Sequence, residues 1–169
     1  GEIVVDKRNS QWKWIPLCRA NTGIALIQDN GTPTKSNDDK TLYRNEWFDQ
    51  YNTPIRPEFI YTLAQDHDNT IWVGTSKGLF TIPASVDFMT SNKCERIVIR
   101  RNDGTDLGDY LLDGEQVNCI VVDGANRKWI GTAASGAFLI QITTDEVGNK
   151  QVETVEHFTA EKSLLPSDN

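Results

Sequence analysis

The sequence is poor in several residue types that characterise particular classes of protein. Its 169 residues include three cysteines, two histidines and one methionine. Cys18, Cys94 and Cys119 fit neither a C-x-x-C metal motif nor a dense disulfide framework. One pair of them could form a disulfide, which would leave one free thiol. Cys119 lies in the apolar run VNCIVVD, which predicts a small core residue.

Positive charge and long apolar runs are also scarce. Lys and Arg number 17 against 24 Asp and Glu, which gives a net charge of -7. This charge argues against a nucleic-acid partner, because such proteins collect basic residues on one face. Arg96, Arg100 and Arg101 alternate with isoleucines in RIVIRR, which predicts the solvent side of a strand. No apolar run approaches the roughly 18 residues of a membrane helix, so we expect no membrane span.

Catalytic and metal-binding motifs are missing as well. The sequence has no G-x-S-x-G, no Gly-rich phosphate loop and no Cys-His pair. His67 and His157 have no second His or Cys at ligand spacing. Asp103, Asp106 and Asp109 are spaced by three, which does not match the alternating pattern of a calcium loop. The sequence therefore predicts a protein that is not an enzyme and has no cofactor and no metal.

The sequence does contain an internal repeat. AQDHDNTIWVGTSKGLFTI, residues 64–82, returns in altered form as VDGANRKWIGTAASGAFLI, residues 122–140. Each copy has an Asp, a Trp six positions later, a Gly-Thr pair and a further Gly. These signature residues are Asp66, Trp72, Gly74, Thr75 and Gly78 in one copy and Asp123, Trp129, Gly131, Thr132 and Gly136 in the other.

The repeat is built for β-structure. Short apolar runs separated by polar turns predict strand, turn, strand, turn and strand, with RIVIRR and QVETVEHF as fourth, outer strands. A weaker copy begins at IVVDKRNSQWKWI, where Asp6 stands six positions before Trp12. The Trp spacings are then 72 minus 12, or 60, and 129 minus 72, or 57. Four short strands at such a period are typical of a β-propeller blade.

A structural role explains each repeated residue. The Asp accepts backbone N–H bonds in the turn after the first strand, and the Trp ring is predicted to lie in the core between adjacent blades. The Gly lets neighbouring sheets approach, and the Thr hydroxyl bonds to the next turn.

We therefore predict an all-β chain, a β-propeller segment of about three four-stranded blades. Because propellers typically have at least four blades, we expect it to be part of a larger propeller. The predicted boundaries are residues 1–58 for the first blade, 59–116 for the second, 117–158 for the third, and 159–169 for a lead-in to a further blade.

The first blade has a long insertion, residues 30–57, with the unusually aromatic stretch YRNEWFDQYNTPIRP. Aromatic side chains there suit stacking on a sugar or contact with a protein. The alternative is that they cover the strand edge of the preceding blade. The candidate binding residues, from this insertion and from the turn of the third blade, are Trp47, Phe48, Tyr51, Arg127 and Lys128.

The stretches IWVGTSKGLF and KWIGTAASGAFLI, each preceded by Asp at the same spacing, resemble the two-component-regulator propeller repeat of extracytoplasmic sensors in Bacteroidetes. More narrowly, residues 101–132 and 157–169 resemble the PorZ-type family of surface propellers in the type IX secretion machinery. The resemblance implies a location in the periplasm or on the cell surface, and binding without catalysis.

These observations favour a non-catalytic binding or assembly module. Its expected partners are the remainder of a parent propeller, another protein or a glycan, and open blade faces allow copies of the chain to associate. One alternative is the glycan-sensing region of a hybrid two-component regulator. A second is a propeller-type lyase, which the missing catalytic motifs disfavour.

Overall fold

The computed structural model describes residues 2–18, 21–32, 34–100, 108–144, 150–163 and 166, and in these ranges it consists of strands, turns and loops. The all-β prediction is thus confirmed for this part of the chain. The strands are β1 (Val4–Val5), β2 (Trp12–Leu17), β3 (Gly23–Gln28), β4 (Lys40–Arg44), β5 (Trp47–Phe48), β6 (Pro54–Ile55), β7 (Ile60–Gln65), β8 (Ile71–Thr75), β9 (Gly78–Ile82), β10 (Val98–Arg100), β11 (Gly108–Tyr110), β12 (Val117–Val122), β13 (Lys128–Thr132), β14 (Ala137–Thr144) and β15 (Lys150–Phe158).

Three antiparallel sheets form the blades. Blade 1 has the order β1-β2-β3-β4, blade 2 the order β7-β8-β9, and blade 3 the order β12-β13-β14-β15. Neighbours in each sheet are consecutive in the chain, as expected when polar turns separate short apolar runs. The fourth strand of blade 1, β4, lies inside the predicted insertion.

The outer strand of blade 2 differs from the prediction. β9 pairs through Thr81 with Glu95, whose backbone groups exchange two hydrogen bonds of 2.8 Å. The run RIVIRR supplies β10, which pairs with β11 and not with β9. Ile97 precedes β10 and Leu111 follows β11, and both side chains are buried in the core between blades 2 and 3. This packing explains why the segment does not pair with β9.

The insertion between β4 and β7 covers a strand edge, but of the following blade. Its hairpin β5-β6 runs parallel to the outer segment of blade 2, with Phe48 opposite Lys93. Phe48 donates its backbone N–H to Asn92 and accepts one from Cys94, both at 2.9 Å. A sheet edge that would otherwise be open is thereby paired.

Two apolar cores lie between the blades. The core between blades 1 and 2 contains Trp14 and Leu63, and the core between blades 2 and 3 contains Trp72, Ile120 and Ile130. A Cβ on Gly74 would lie 2.8 Å from a methyl carbon of Val117, the first residue of β12. Gly74 therefore permits the close approach of blade 3.

Blade 3 is covered on one side within the described residues. Its β12 buries Val117 and Ile120, which lie on one side because a bulge separates them, and exposes positions such as Val121. The core prediction for Cys119 is wrong, since this residue is exposed on the same side. Trp129 is 39% exposed, whereas its counterpart Trp72 is 2% exposed.

This difference yields a test of the inter-blade cores. Trp72→Ala should cost about 3–5 kcal/mol of unfolding free energy, because it empties a closed core. Trp129→Ala should cost about 1–2 kcal/mol, because part of the ring already contacts water. Urea unfolding of the two variants measures the difference, and equal costs would contradict the assignment of Trp72 to the core.

Candidate functional site

The carboxylate that ends the first strand organises each blade. In blade 2, Asp66 Oδ1 accepts the backbone N–H groups of Asp68 and Thr70 at 3.0 and 2.9 Å. Its Oδ2 accepts the indole N–H of Trp72 at 3.0 Å. In blade 3, Asp123 and Trp129 repeat this arrangement with an indole distance of 3.4 Å. The spacing of six that both copies share thus corresponds to a hydrogen bond across the turn.

In blade 1 the indole partner of Asp6 is Trp14 and not the predicted Trp12. Trp14 donates to Asp6 Oδ2 at 3.0 Å, and Trp12 begins β2 with an indole N–H that has no partner among the described residues. The turn after Asp6 is two residues longer, so the spacing is eight. With Trp14 in this role, the repeat spacings become 72 minus 14, or 58, and 57.

A polar side chain from the following blade reaches each of the first two carboxylates. Gln65 of blade 2 donates to Asp6 Oδ1 at 3.3 Å. Lys128 of blade 3 lies 3.2 Å from Asp66 Oδ2, with both side chains at least 95% buried, and 5.1 Å from the centre of the Trp72 ring. Sequence reasoning missed this role of Lys128, because its partner is 62 residues away.

A fourth copy of the turn lies in the hairpin β5-β6. Asp49 Oδ1 accepts the N–H groups of Tyr51 and Thr53 at 3.0 and 2.8 Å. Asn52 has a φ of 64°, as Asn69 and Asn126 have 62° in the other turns. The motif Asp-x-x-Asn, which occurs as DQYN, DHDN and DGAN, is the sequence signal that could have identified this fourth turn. No Trp follows Asp49 at the repeat spacing, and its Oδ2 has no hydrogen-bond partner in the described parts of the chain.

The predicted binding residues of the insertion do not share one surface. Trp47 is fully buried and its ring centre lies 5.0 Å from that of Phe80, so it offers no surface to a ligand. Phe48 is partly buried beneath Lys93, whose Nζ lies 5.7 Å from the ring centre. Tyr51 is 68% exposed at the tip of the hairpin.

The two candidates in the turn of blade 3 are both engaged. Arg127 Nε donates to Asp123 Oδ2 at 2.7 Å. Lys128 is held by Asp66 and by the carbonyl of Asn126 at 2.8 Å. Arg127 is partly exposed and can still contact a partner, whereas Lys128 belongs to the contact between blades 2 and 3.

A groove lies where the blades are connected. In an antiparallel blade, the turn from the second to the third strand and the connection to the next blade lie at the same end, which we call the connection face. Two cavities of about 570 and 240 Å³ open there, and both are lined by Arg56 and Pro57. We call them together the Arg56 groove. Its other lining residues include Asn21, Thr22, Tyr43, Asn45, Glu46, Lys77, Arg96 and Asp113.

The groove carries charges of both signs. Arg56 pairs with Glu46 and remains largely exposed, and Arg96 pairs with Asp113. The Arg96 guanidinium lies 3.6 Å from the centre of the Tyr110 ring, a cation–π contact that fixes its orientation. Burial raises the pKa of Tyr110, and the neighbouring Asp49 carboxylate raises it further.

Burial and hydrogen bonding explain the shifted pKa values of Cys94 and Asp123. Burial raises the pKa of the Cys94 thiol to about 12, which makes it a poor nucleophile at neutral pH. Partial burial of Asp123 is outweighed by hydrogen bonds from Arg127, so its pKa falls to about 2. Among the described residues no group of three or more His, Cys, Asp or Glu side chains is placed to hold a metal. Asp103 and Asp106 of the rejected calcium loop lie outside these residues.

Comparison with known proteins agrees with this architecture. The model of a family described as two component regulator propeller matches residues 54–77, which include Asp66 and Trp72. All of the chain aligns with 22% of PorZ, described as an essential bacterial surface component of the type-IX secretion system of the human oral-microbiomic Porphyromonas gingivalis, at 27% identity and a TM-score of 0.79. No curated protein matches the sequence.

The predicted resemblance and fold class are confirmed by these matches. The chain is a β-propeller segment similar to part of PorZ, and it spans about a fifth of that protein's length. The described ranges contain no helix with the length and hydropathy needed to cross a bilayer.

The Asp6 contacts predict how stability depends on pH. Burial of Asp6 is outweighed by hydrogen bonds from Arg8, Trp14 and Gln65, which hold its pKa well below the ordinary 3.8. The stabilisation is therefore present above pH 4 or so and is lost as the pH falls toward the folded-state pKa. Asp6→Asn should flatten the fall in unfolding free energy between about pH 5 and 3.

Urea unfolding across this pH range measures the effect. Glu153→Gln, which neutralises an exposed carboxylate of blade 3, is the matched control and should keep the wild-type pH dependence. An Asp6→Asn variant with an unchanged slope would contradict the account.

Proposed function

We propose that the chain is a non-catalytic binding module of a bacterial surface propeller, and that the connection face holds a protein partner of a type IX secretion system. The observation that carries this proposal is the Arg56 groove. Connections from consecutive repeats build it, so the blades fix its shape, and Arg56 and Lys77 of its lining are exposed to a partner. Loops on a rigid scaffold are the usual location of binding residues.

The groove chemistry supports a protein partner. Arg56 and Lys77 are exposed cations, Glu46 and Asp113 are anions, and Ile55 adds apolar surface to the lining. Mixed charge at an interface gives orientation and specificity to association. Tyr51, at the tip of the hairpin that precedes Arg56, is exposed and is an aromatic side chain of the kind enriched in interfaces.

The acid–base groups support binding over catalysis. The perturbed carboxylates Asp6 and Asp123 are kept ionised by hydrogen bonds that build turns, and Cys94 is kept as a thiol by burial. None of these three lines the Arg56 groove. Catalytic groups need a pKa near the working pH, and none of these three groups has one.

The surface location rests on the similarity to PorZ. That protein is described as an essential surface component of the type-IX secretion system. We extend this role to the present chain, which would act outside the cytoplasm as a rigid part of a larger propeller.

A charge reversal in the groove tests the proposal in the full-length protein, in the bacterium that carries its gene. Arg56→Glu combined with Lys77→Glu should reduce the amount of secreted type IX cargo by more than about tenfold, because like charges then oppose the partner. Both side chains are exposed, so the propeller should still fold and reach the surface.

The control is Lys162→Glu, an exposed cation outside the groove. It should leave secretion at the wild-type level. Normal secretion by the double variant, with the protein present at the surface, would overturn the proposal.

A glycan ligand is the second candidate, and the larger cavity favours it. Asn21, Thr22 and Asn45 offer amide and hydroxyl groups beside Tyr43, which is 41% exposed. This combination suits a sugar ring. Calorimetric titration with a neutral glucose hexasaccharide separates the two candidates. The protein-partner proposal expects no binding, whereas saturable binding that Tyr43→Ala abolishes would favour a glycan sensor.

A further inference from the structure

The pairing between the hairpin β5-β6 and blade 2 continues past the end of β5. Phe48 lies parallel to the outer segment of blade 2, where its N–H donates to Asn92 and its carbonyl accepts from Cys94. Because the bonds of a parallel pair are evenly spaced, the next step would join the hairpin to Arg96. The hairpin backbone does not make this step, since Asp49 begins the turn that leads to β6.

The side chain of Gln50 makes the step instead. Its Oε1 accepts the backbone N–H of Arg96 at 2.9 Å, and its Nε2 donates to the backbone carbonyl of Arg96 at 2.7 Å. Both backbone groups of Arg96 are therefore paired as they would be with a neighbouring strand. Two bonds from one planar amide restrict the main chain of Arg96 in both distance and direction.

The side chain of Arg96 is held as well. Its guanidinium lies 3.6 Å from the centre of the Tyr110 ring and pairs with Asp113, and Arg96 and Asp113 line the smaller cavity of the Arg56 groove. The Arg96 side chain is 19% exposed, whereas that of Arg56 is 72% exposed. A guanidinium has five N–H donors, and the contact with Asp113 involves the Nη2 end of this group.

The cations of the groove thus differ in how firmly they are fixed. A partner that binds Arg56 or Lys77 must immobilise a long exposed side chain, which opposes association through lost conformational entropy. Arg96 is fixed before a partner arrives and loses little freedom. A planar guanidinium in one orientation selects an oxygen acceptor of matching geometry, which a mobile charge does not. Arg56 and Lys77 therefore supply charge, and Arg96 supplies geometry.

We infer that Arg96 is the specificity-determining donor of the Arg56 groove, and that Gln50 is the positioning residue that holds it. This role rests on the proposed function, because it concerns the same groove and the same protein partner. The hairpin β5-β6 then does more than cover the edge of blade 2. It also sets the position of one binding group in the groove.

A spectroscopic signal reports the position of Arg96 in the 169-residue chain. Its Nε–H proton should resonate upfield of an ordinary arginine in an NMR spectrum, because the guanidinium lies over the Tyr110 ring. The Arg96→Lys variant identifies this signal by its absence. Gln50→Met keeps the length of the side chain and removes both hydrogen bonds to Arg96, so it should lose most of the upfield shift.

Two controls accompany this measurement. Gln28→Met makes the same exchange in blade 1 and should keep the full shift. The buried thiol of Cys94, whose backbone pairs with Phe48, should stay unreactive in Gln50→Met, which shows that the hairpin still covers blade 2. An unchanged Arg96 signal in Gln50→Met would overturn the role of Gln50.

Secretion of type IX cargo tests the role of Arg96 in the full-length protein, in the bacterium that carries its gene. Arg96→Lys keeps the charge and loses the planar guanidinium, so secretion should fall by at least about fivefold. Arg56→Lys makes the same exchange at the exposed cation and should stay within about twofold of the wild type. Gln50→Met should lower secretion by at least about threefold, because Arg96 is then mobile.

The outcomes separate this role from the proposed function. Equal secretion by Arg96→Lys and Arg56→Lys, with both proteins present at the surface, would overturn the inference. If Arg56→Glu with Lys77→Glu abolishes secretion while Arg96→Lys and Gln50→Met secrete normally, the groove binds a partner that Arg96 does not select. If the charge reversal also secretes normally, the proposed function fails together with this role.

Discussion

The carboxylate at the end of each first strand is the group on which the rest of this structure depends. One of its oxygens takes backbone N–H groups of the turn, and the other takes the indole N–H of the second strand. Bonds to an ionised acceptor are stronger than neutral ones. The same carboxylate then receives a donor from the next blade, as Asp66 receives Lys128. One side chain thus fixes a turn, the position of a large ring and the neighbouring sheet.

The hairpin β5-β6 shows what happens when this set of contacts is incomplete. Asp49 builds the turn, but its Oδ2 and the indole N–H of Trp47 have no partners among the described residues. The hairpin is held instead by main-chain pairing with the outer segment of blade 2 and by the burial of Trp47 against Phe80. It therefore extends an existing blade and does not start a new one. Tyr51 and Arg56 remain largely exposed in this segment.

Local spacing predicted the blades well, because each blade is built from contacts within about 25 residues. Asp66 with Trp72 and Asp123 with Trp129 could be found this way, and they led to the correct fold. In the first blade the prediction that Trp12 is the repeat tryptophan was wrong. Two extra residues in the turn make Trp14 the indole partner of Asp6. The exposure of Cys119 and the burial of Lys128 could not be predicted, because a strand residue is buried only where another blade covers its side. The groove around Arg56 also joins residues that are more than 30 positions apart.

The most direct test of this account is a double-mutant cycle on the hydrogen bond between Asp66 and Trp72. Asp66→Asn keeps the turn acceptor and Trp72→Phe removes the indole N–H, so the pair isolates their coupling. Urea unfolding of both single variants and the double variant should give a coupling of about 1.5–3 kcal/mol, the range for a bond to a charged group. Effects that add to within about 0.5 kcal/mol would contradict the central role of this carboxylate.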